Sequence, residues 1–219
     1  MIIKNDKYEF SVIADTDVEK ARYMNLEGET KYIDTIRELI PGMGFFDIGA
    51  CMGLHSLCTM KLAKWIVAVE PDPENFKKML SSIRRNAGNN VQCVQVAVTD
   101  QLSSSHTALF TDESRSNSPT TISREGTTRI IVPSITFSNL VKRYGLPDIV
   151  KIDIEGDEAS IIHDVIEQAP KYICVEIHPQ MLFRRGKVVG DVILPLERYY
   201  SLIHEFEHRD QSNQIWEIL

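Results

Sequence analysis

Gly44-Phe45-Phe46-Asp47-Ile48-Gly49-Ala50-Cys51-Met52-Gly53-Leu54-His55-Ser56 reads as a short apolar strand, Phe45 to Ile48, that ends in a tight turn and opens into a helix near Gly53. Glycine lets the backbone turn sharply and come close to a ligand. A helix start behind such a turn offers unpaired N–H groups to whatever sits there. A second apolar strand, Trp65 to Val69, closes on Glu70. An acid in that place, about 20 residues beyond the first glycine, is the partner of ribose hydroxyls in doubly wound nucleotide folds.

The glycine spacing selects among nucleotides. A dinucleotide turn needs G-x-G-x-x-G so that a pyrophosphate can touch the backbone. Counting from Gly49, the second and third glycine places hold Cys51 and Leu54. Asp47 adds a carboxylate where the pyrophosphate would lie, and two anions there repel. The same carboxylate suits an α-amino group. S-adenosylmethionine carries an amino group, a sulfonium and a ribose but no phosphate, so it fits better than NAD.

Working outward, apolar runs alternate with helical patterns from residue 44 to 178, which predicts an α/β fold with a doubly wound, mostly parallel sheet. Strand three is expected over 91–98, strand four over 148–154 and strand five over 172–177. Helices are expected from Gly53 to about Lys64, from Glu74 to Asn86, from Thr136 to Arg143, to about Gln168, and from Val189 to Tyr200. Residues 1–40 read as a small N-terminal extension: a hairpin to residue 13, a helix capped by Asp15 or Asp17, and a second capped by Thr30. Two closing strands are expected near 202–206 and 214–218. No repeat or linker divides the chain, so one domain over 1–219 is expected, its core over 44–219. The Ser/Thr/Asn-rich stretch 101–128 reads either as a surface loop with short strands or as a cover over the site.

Composition narrows the function. With 24 basic and 31 acidic residues the formal charge is −7, which argues against a nucleic-acid binder. No apolar run of about 18 residues predicts a membrane span. No signal peptide is recognisable, and the four cysteines lack C-x-x-C spacing, which together suggest a cytoplasmic protein with reduced thiols.

Ligands of open α/β sheets bind at the carboxyl ends of the strands. Those ends carry Asp47, Glu70, Ala97, Asp153 with Glu155, and Glu176 with His178. The acids beyond strands four and five, with the histidine, have three uses: binding a hard cation such as Mg²⁺, holding substrate hydroxyls, or general base catalysis, for which His178 is the candidate. No metal is predicted, although Mg²⁺ is compatible. Lys151 reads equally as a buried partner of an acid or as a catalytic group. Arg184, Arg185 and Lys187 read as a solvated basic turn or as a contact for an anionic substrate.

Five segments together resemble one family. They are Phe46 to Ser56, Val69-Glu70-Pro71-Asp72-Pro73-Glu74-Asn75-Phe76, Val96-Ala97-Val98, Lys151-Ile152-Asp153-Ile154-Glu155-Gly156-Asp157-Glu158 and Glu176-Ile177-His178-Pro179. The sequence resembles the FkbM-type methyltransferases, a branch of the class I S-adenosylmethionine-dependent enzymes with a Rossmann-like fold. The resemblance runs from about Glu29 to His178. It implies a seven-stranded sheet with a reversed last strand. It places Asp47, Gly49 and Gly53 around the methionine end of the cofactor, Glu70 on the ribose and Asp72 beside the adenosine; Ala50, Pro71, Ala97 and Asp153 are the further candidates for cofactor binding. It also implies methyl transfer to oxygen, often on a sugar or small metabolite; the catalytic group read from the strand ends is His178, as general base with Glu176 or Asp153, and Glu155. One segment departs from the family: an aspartate-bearing Thr-Leu-Asp-Asp-Leu is replaced by Thr136-Phe137-Ser138-Asn139-Leu140. The alternatives are an N-methyltransferase, a nicotinamide-dependent oxidoreductase and a non-catalytic cofactor binder. The oligomeric state is open.

Overall fold

The computed structural model describes residues 2–100, 105–111, 128–208 and 211–219. Its N-terminal part is an antiparallel hairpin, β1 (Ile2–Asn5) with β2 (Phe10–Ile13), followed by helices α1 (Asp17–Asn25) and α2 (Thr30–Leu39). Next come β3 (Gly44–Ile48), α3 (Leu54–Thr59), β4 (Trp65–Val69), α4 (Pro73–Arg85), β5 (Val91–Val94) and β6 (Ala97–Val98). Strands β7 (His106–Thr111) and β8 (Thr128–Ile135), helix α5 (Phe137–Tyr144), strand β9 (Ile149–Ile152), helix α6 (Glu158–Gln168) and strand β10 (Tyr172–Ile177) follow. The chain closes with α7 (Pro179–Arg184), α8 (Gly190–Glu197), β11 (Tyr200–His208) and β12 (Gln211–Ile218).

The principal sheet has seven strands in the order β11-β12-β10-β9-β3-β4-β5. The pairs from β10 to β5 are parallel, and β12 runs antiparallel to both its neighbours. This is the doubly wound, class I architecture with one reversed strand. A strand buried on both faces reads as a continuous apolar run, which is why these strands are legible. Phe45, Ile66, Ile149 and Cys174 point to one face, against Ile33, Ile36 and Leu57. Phe46, Val67, Val150 and Ile173 point to the other, against Leu140, Ile162 and Val165.

Several local expectations are corrected. The strand expected over 91–98 is two strands. β5 stays in register with β4 only as far as Val69↔Val94, and the last bond is Glu70 N–H to Val94 O at 3.1 Å. β4 then turns away at Pro71, which has no N–H to pair, so the chain after Val94 leaves the sheet and β6 joins β8 and β7 in a separate one. Helix α3 stops at Thr59 rather than near Lys64, where the Asn90 amide donates to the carbonyls of Met60 and Ala63 at 2.9 and 3.0 Å. Thr16, not Asp15 or Asp17, caps α1 through its hydroxyl, and Glu29 takes the cap position expected for Thr30. The segment after His178 is a helix that starts with Pro179 at its first position, and Arg185 just beyond it forms an ion pair with Asp157. Of the stretch 101–128, only 105–111 and residue 128 lie among the described residues, so the reading of a cover over the site lies largely outside them.

Candidate active site

The alternation of strand side chains brings the polar residues to one place. On the face that carries Phe45, Ile149 and Cys174, the next residues toward the carboxyl edge are Asp47 on β3, Lys151 on β9 and Glu176 on β10. In the ladder Asp47 lies opposite Lys151, Lys151 opposite Cys174, and Glu176 opposite Asn213 of β12. Burying one apolar side chain stabilises by only about 1.5–3 kcal/mol, while an uncompensated buried charge costs several. Each of these charges therefore needs a partner, and most have one.

Lys151 is the central cation. Its Nζ donates to Asp153 Oδ2 at 3.0 Å and stands 4.0 Å from Asp47 Oδ1. Burial works against its charge, but the surrounding carboxylates, Asp153 first, outweigh that and hold it firmly protonated. Asp153 answers in kind: burial opposes its ionisation, yet Lys151 and then His178 bring its carboxyl down to about 2. Asp47 is fully buried and turns Oδ2 to the start of α3, accepting from Ser56 N–H at 3.1 Å and Ser56 Oγ–H at 2.7 Å. One of the N–H groups expected to await a ligand at the glycine turn is thus taken by Asp47. Its Oδ1 accepts no hydrogen bond among the described residues.

The glycine turn is held from both sides. Gly49 and Ala50 donate N–H to Val69 O at 3.0 and 2.9 Å, and Cys51 N–H donates to Glu70 Oε2 at 2.8 Å. Gly49 has φ +78°, and a Cβ there would lie 1.7 Å from the Asp153 carbonyl oxygen. Glu70 also accepts from Asp72 N–H at 2.8 Å, and its burial pushes its carboxyl up to about 8. Asp72 caps α4, accepting N–H from Glu74 and Asn75 at 2.9 and 3.0 Å. Gly53, at φ +85°, precedes α3 directly. Pro71 lies between Glu70 and Asp72 at the mouth of this turn and is half-buried. The methyl of Ala97 packs with Leu109 and Val132 in the small sheet.

His178, the residue just before α7, gathers the remaining acids. Its Nδ1 lies 3.1 Å from Glu158 Oε1, which also accepts from Gly156 N–H at 3.0 Å. Its Nε2 faces Glu155 Oε2 at 3.4 Å, Glu176 Oε1 at 3.7 Å and Asp153 Oδ1 at 3.8 Å. Burial alone would lower the imidazole, but the Glu158 bond and the Asp153 and Glu155 carboxylates push it up to about 10. Glu155 is raised to about 7 by burial and by the charge on Asp153, and Glu176 is raised well above the ordinary carboxylate range by burial, Asp153 and Glu29.

Several contributors were not foreseen. Glu158 is fully buried and fixes the His178 ring; the signal was an acid opening a helix behind one strand and a histidine closing the next. Glu29 pairs with His55 at 3.1 Å, and Tyr32 meets the His55 ring edge-on with centroids 5.8 Å apart. Glu29 and Tyr32 also line a cavity of about 250 Å³, with Phe206 and Asn213 opposite. No local pattern announces them, because α2 and β12 meet only in the folded chain. The buried hydroxyl of Tyr32 and Oδ1 of Asn213 have no hydrogen-bond partner among the described residues.

The fold is shared with methyltransferases of known structure. The precorrin-6y C5,15-methyltransferase of Geobacter metallireducens GS-15 superposes with a TM-score of 0.51 at 15% identity, covering 98% of this chain and 92% of its own. An rRNA methylase from Streptococcus thermophilus gives 0.55 at 10% identity, over 86% and 95% of the two chains. Aeropyrum pernix fibrillarin, solved with natively bound S-adenosyl-L-methionine, gives 0.53 at 9% identity, over 85% and 74%. These likenesses show a shared Rossmann-like methyltransferase fold. No curated protein matches the sequence significantly. The Methyltransferase FkbM domain matches residues 47–210, from the acid of the glycine turn to the closing hairpin and through every carboxylate of the cluster except Glu29. The chain belongs to the FkbM family of S-adenosylmethionine-dependent methyltransferases.

Proposed function

We infer that this enzyme methylates a hydroxyl group of a polyhydroxylated small molecule, such as a sugar. The carrying observation is the group of carboxylates at the carboxyl edge of the sheet, where Asp153, Glu155 and Glu176 converge on His178 Nε2 at 3.8, 3.4 and 3.7 Å. Carboxylates accept hydrogen bonds from hydroxyls and so can hold several at once. The same charges repel a phosphodiester backbone. An amine entering this field stays protonated, and an ammonium has no lone pair to attack with. A hydroxyl is free of that penalty.

The residues fit the family's cofactor. Bound S-adenosylmethionine supplies a methyl group already activated on a sulfonium. Asp47 Oδ1, buried and without a hydrogen-bond donor, suits its ammonium group. Glu70, its two oxygens each fixed by one backbone N–H, keeps a lone pair on each for a ribose diol. Gly49, Ala50, Gly53, Pro71 and Asp72 shape the turn around it, whereas the side chain of Ala97 packs elsewhere.

Most of the acceleration then comes from holding the acceptor oxygen in line with the methyl. Within the cluster Glu155 has the most open carboxylate, 25% exposed against 7% for Glu176, and it takes the hydroxyl proton. His178 steers Glu155 and Glu176 rather than accepting the proton itself, because its Nδ1 is engaged by Glu158 and its Nε2 faces three carboxylates. The test is methyl transfer from isotopically labelled S-adenosylmethionine to a panel of glycosides and primary amines, read by mass spectrometry. A methyl ether is expected, and Glu155→Gln should lower its rate by about 10²–10⁴-fold with S-adenosylhomocysteine affinity nearly unchanged. Label on nitrogen only would overturn the reading.

A further inference from the structure

Three of the side chains at the carboxyl edge meet in a way that hydrogen bonding does not explain. Asp153, Glu176 and His178 each direct one donor atom to a common point, and these atoms all lie within 4.8 Å of one another. Around His178 Nε2 the separations are 3.8 Å to Asp153 Oδ1 and 3.7 Å to Glu176 Oε1, too long for hydrogen bonds. Ligand atoms about 2.1 Å from one ion lie about 3.0 Å apart at octahedral corners and about 3.4 Å apart at tetrahedral ones. A small inward movement of three side chains reaches that spacing.

The supports of the three ligands are those of a metal site. Asp153 has its other oxygen, Oδ2, held by Lys151 at 3.0 Å, which leaves Oδ1 turned inward. His178 has Nδ1 held by the fully buried Glu158 at 3.1 Å, which leaves Nε2 turned inward. A carboxylate on the far nitrogen is the usual outer support of a metal-bound histidine, fixing the ring and raising its basicity. Glu176 supplies an independent sign. It is only 5% exposed, and among the described residues no donor reaches its carboxylate within hydrogen-bond distance. A buried carboxylate without a donor is costly, and a cation removes the cost.

We propose that Asp153, Glu176 and His178 form a binding site for a divalent first-row transition-metal ion of the Mn²⁺ type, with its remaining positions left to water or the acceptor. Two carboxylate oxygens and one imidazole nitrogen make a mixed donor set. It suits Mn²⁺, Fe²⁺ or Zn²⁺ better than Ca²⁺, which takes six to eight oxygens, or Mg²⁺, which favours oxygen ligands and water. The site stands on its own geometry. Its use rests on the reading of a hydroxylated acceptor: the ion would bind that hydroxyl, lower its pKa and leave the proton to Glu155.

The experiment is a titration of Mn²⁺ into the full chain stripped of metal by a chelator, followed by electron paramagnetic resonance. Expected is saturable loss of the free-ion spectrum at a single site, a ¹⁴N coupling from one imidazole in the pulsed spectrum, and at least tenfold weaker binding in Glu176→Gln. Retained S-adenosylhomocysteine binding shows that this variant is folded, and the ¹⁴N coupling reports on the unaltered chain should the variant fail to fold. Absence of saturable binding, or binding without the nitrogen coupling, overturns the proposal. Mn²⁺ binding is read with no acceptor present, so methylation of amines by a chain that binds Mn²⁺ overturns only the choice of acceptor. Full-rate methylation of hydroxyls by a chain that binds no Mn²⁺ overturns only the metal site.

Discussion

Gly49 is the residue on which both halves of the site turn. A side chain there meets two obstacles: a left-handed φ of +78°, and the Asp153 carbonyl 1.7 Å from where its Cβ would stand. The conformational strain alone costs about 1–3 kcal/mol, and the clash with backbone adds to it. Gly49→Ala is therefore expected to lower the unfolding free energy by at least about 2 kcal/mol and to weaken S-adenosylhomocysteine binding. Chemical denaturation and calorimetric titration would check both. Glu70 makes a prediction of opposite character. Its carboxyl is raised by burial from the ordinary 4.5 to about 8, so between those values the folded chain holds a proton that the unfolded chain has released. By linkage its contribution is fully present below pH 4.5 and is lost as pH rises through 8, with a slope of at most about 1.4 kcal/mol per pH unit. In the ligand-free protein Glu70→Gln should flatten the fall in urea midpoint between pH 5 and 8. An unchanged slope in the variant would place the proton elsewhere.

At the scale of elements, the cap of α4 separates two roles that one side chain combines. Asp72 accepts two N–H bonds at the start of that helix, and the family resemblance also places it beside the adenosine. Asp72→Ala should cost about 1 kcal/mol, whereas Asp72→Asn, which still caps, should cost only a few tenths. If both variants bind S-adenosylhomocysteine like the parent once stability is allowed for, the residue is a cap alone. The same elements show what the sequence could reveal. β3, β4, β9 and β10 are apolar runs ending in acids, so the parallel sheet and most of its carboxyl-edge chemistry were legible. The break between β5 and β6 was not, because it depends on β4 turning away at Pro71. Neither was the Glu158–His178 bond, which joins residues on two different strand–helix turns. The shortening of α3 escaped for the same reason, since Asn90 arrives from outside the helix.

The molecule as a whole is closed over its cofactor turn by its first forty residues. The hairpin is tied to α4 by reciprocal bonds of 2.7 Å between the Ser11 backbone and the Asn86 amide. Tyr23 of α1 donates its hydroxyl to the Met52 carbonyl at 2.9 Å, and Arg22 reaches Cys51 Sγ at 3.2 Å. Among the described residues no helix is long and apolar enough to cross a membrane. The match to the family begins only at residue 47, yet Glu29 and Tyr32, which wall the cavity across from Phe206 and Asn213, come from before it. The carboxylates around His178 thus sit on the shared engine, while the cavity wall formed by Glu29 and Tyr32 belongs to an attached faceplate. Exchange of that faceplate would re-line the cavity while leaving Asp153, Glu155, Glu176 and His178 in place. It offers a route by which one chemistry passes from acceptor to acceptor without rebuilding the sheet.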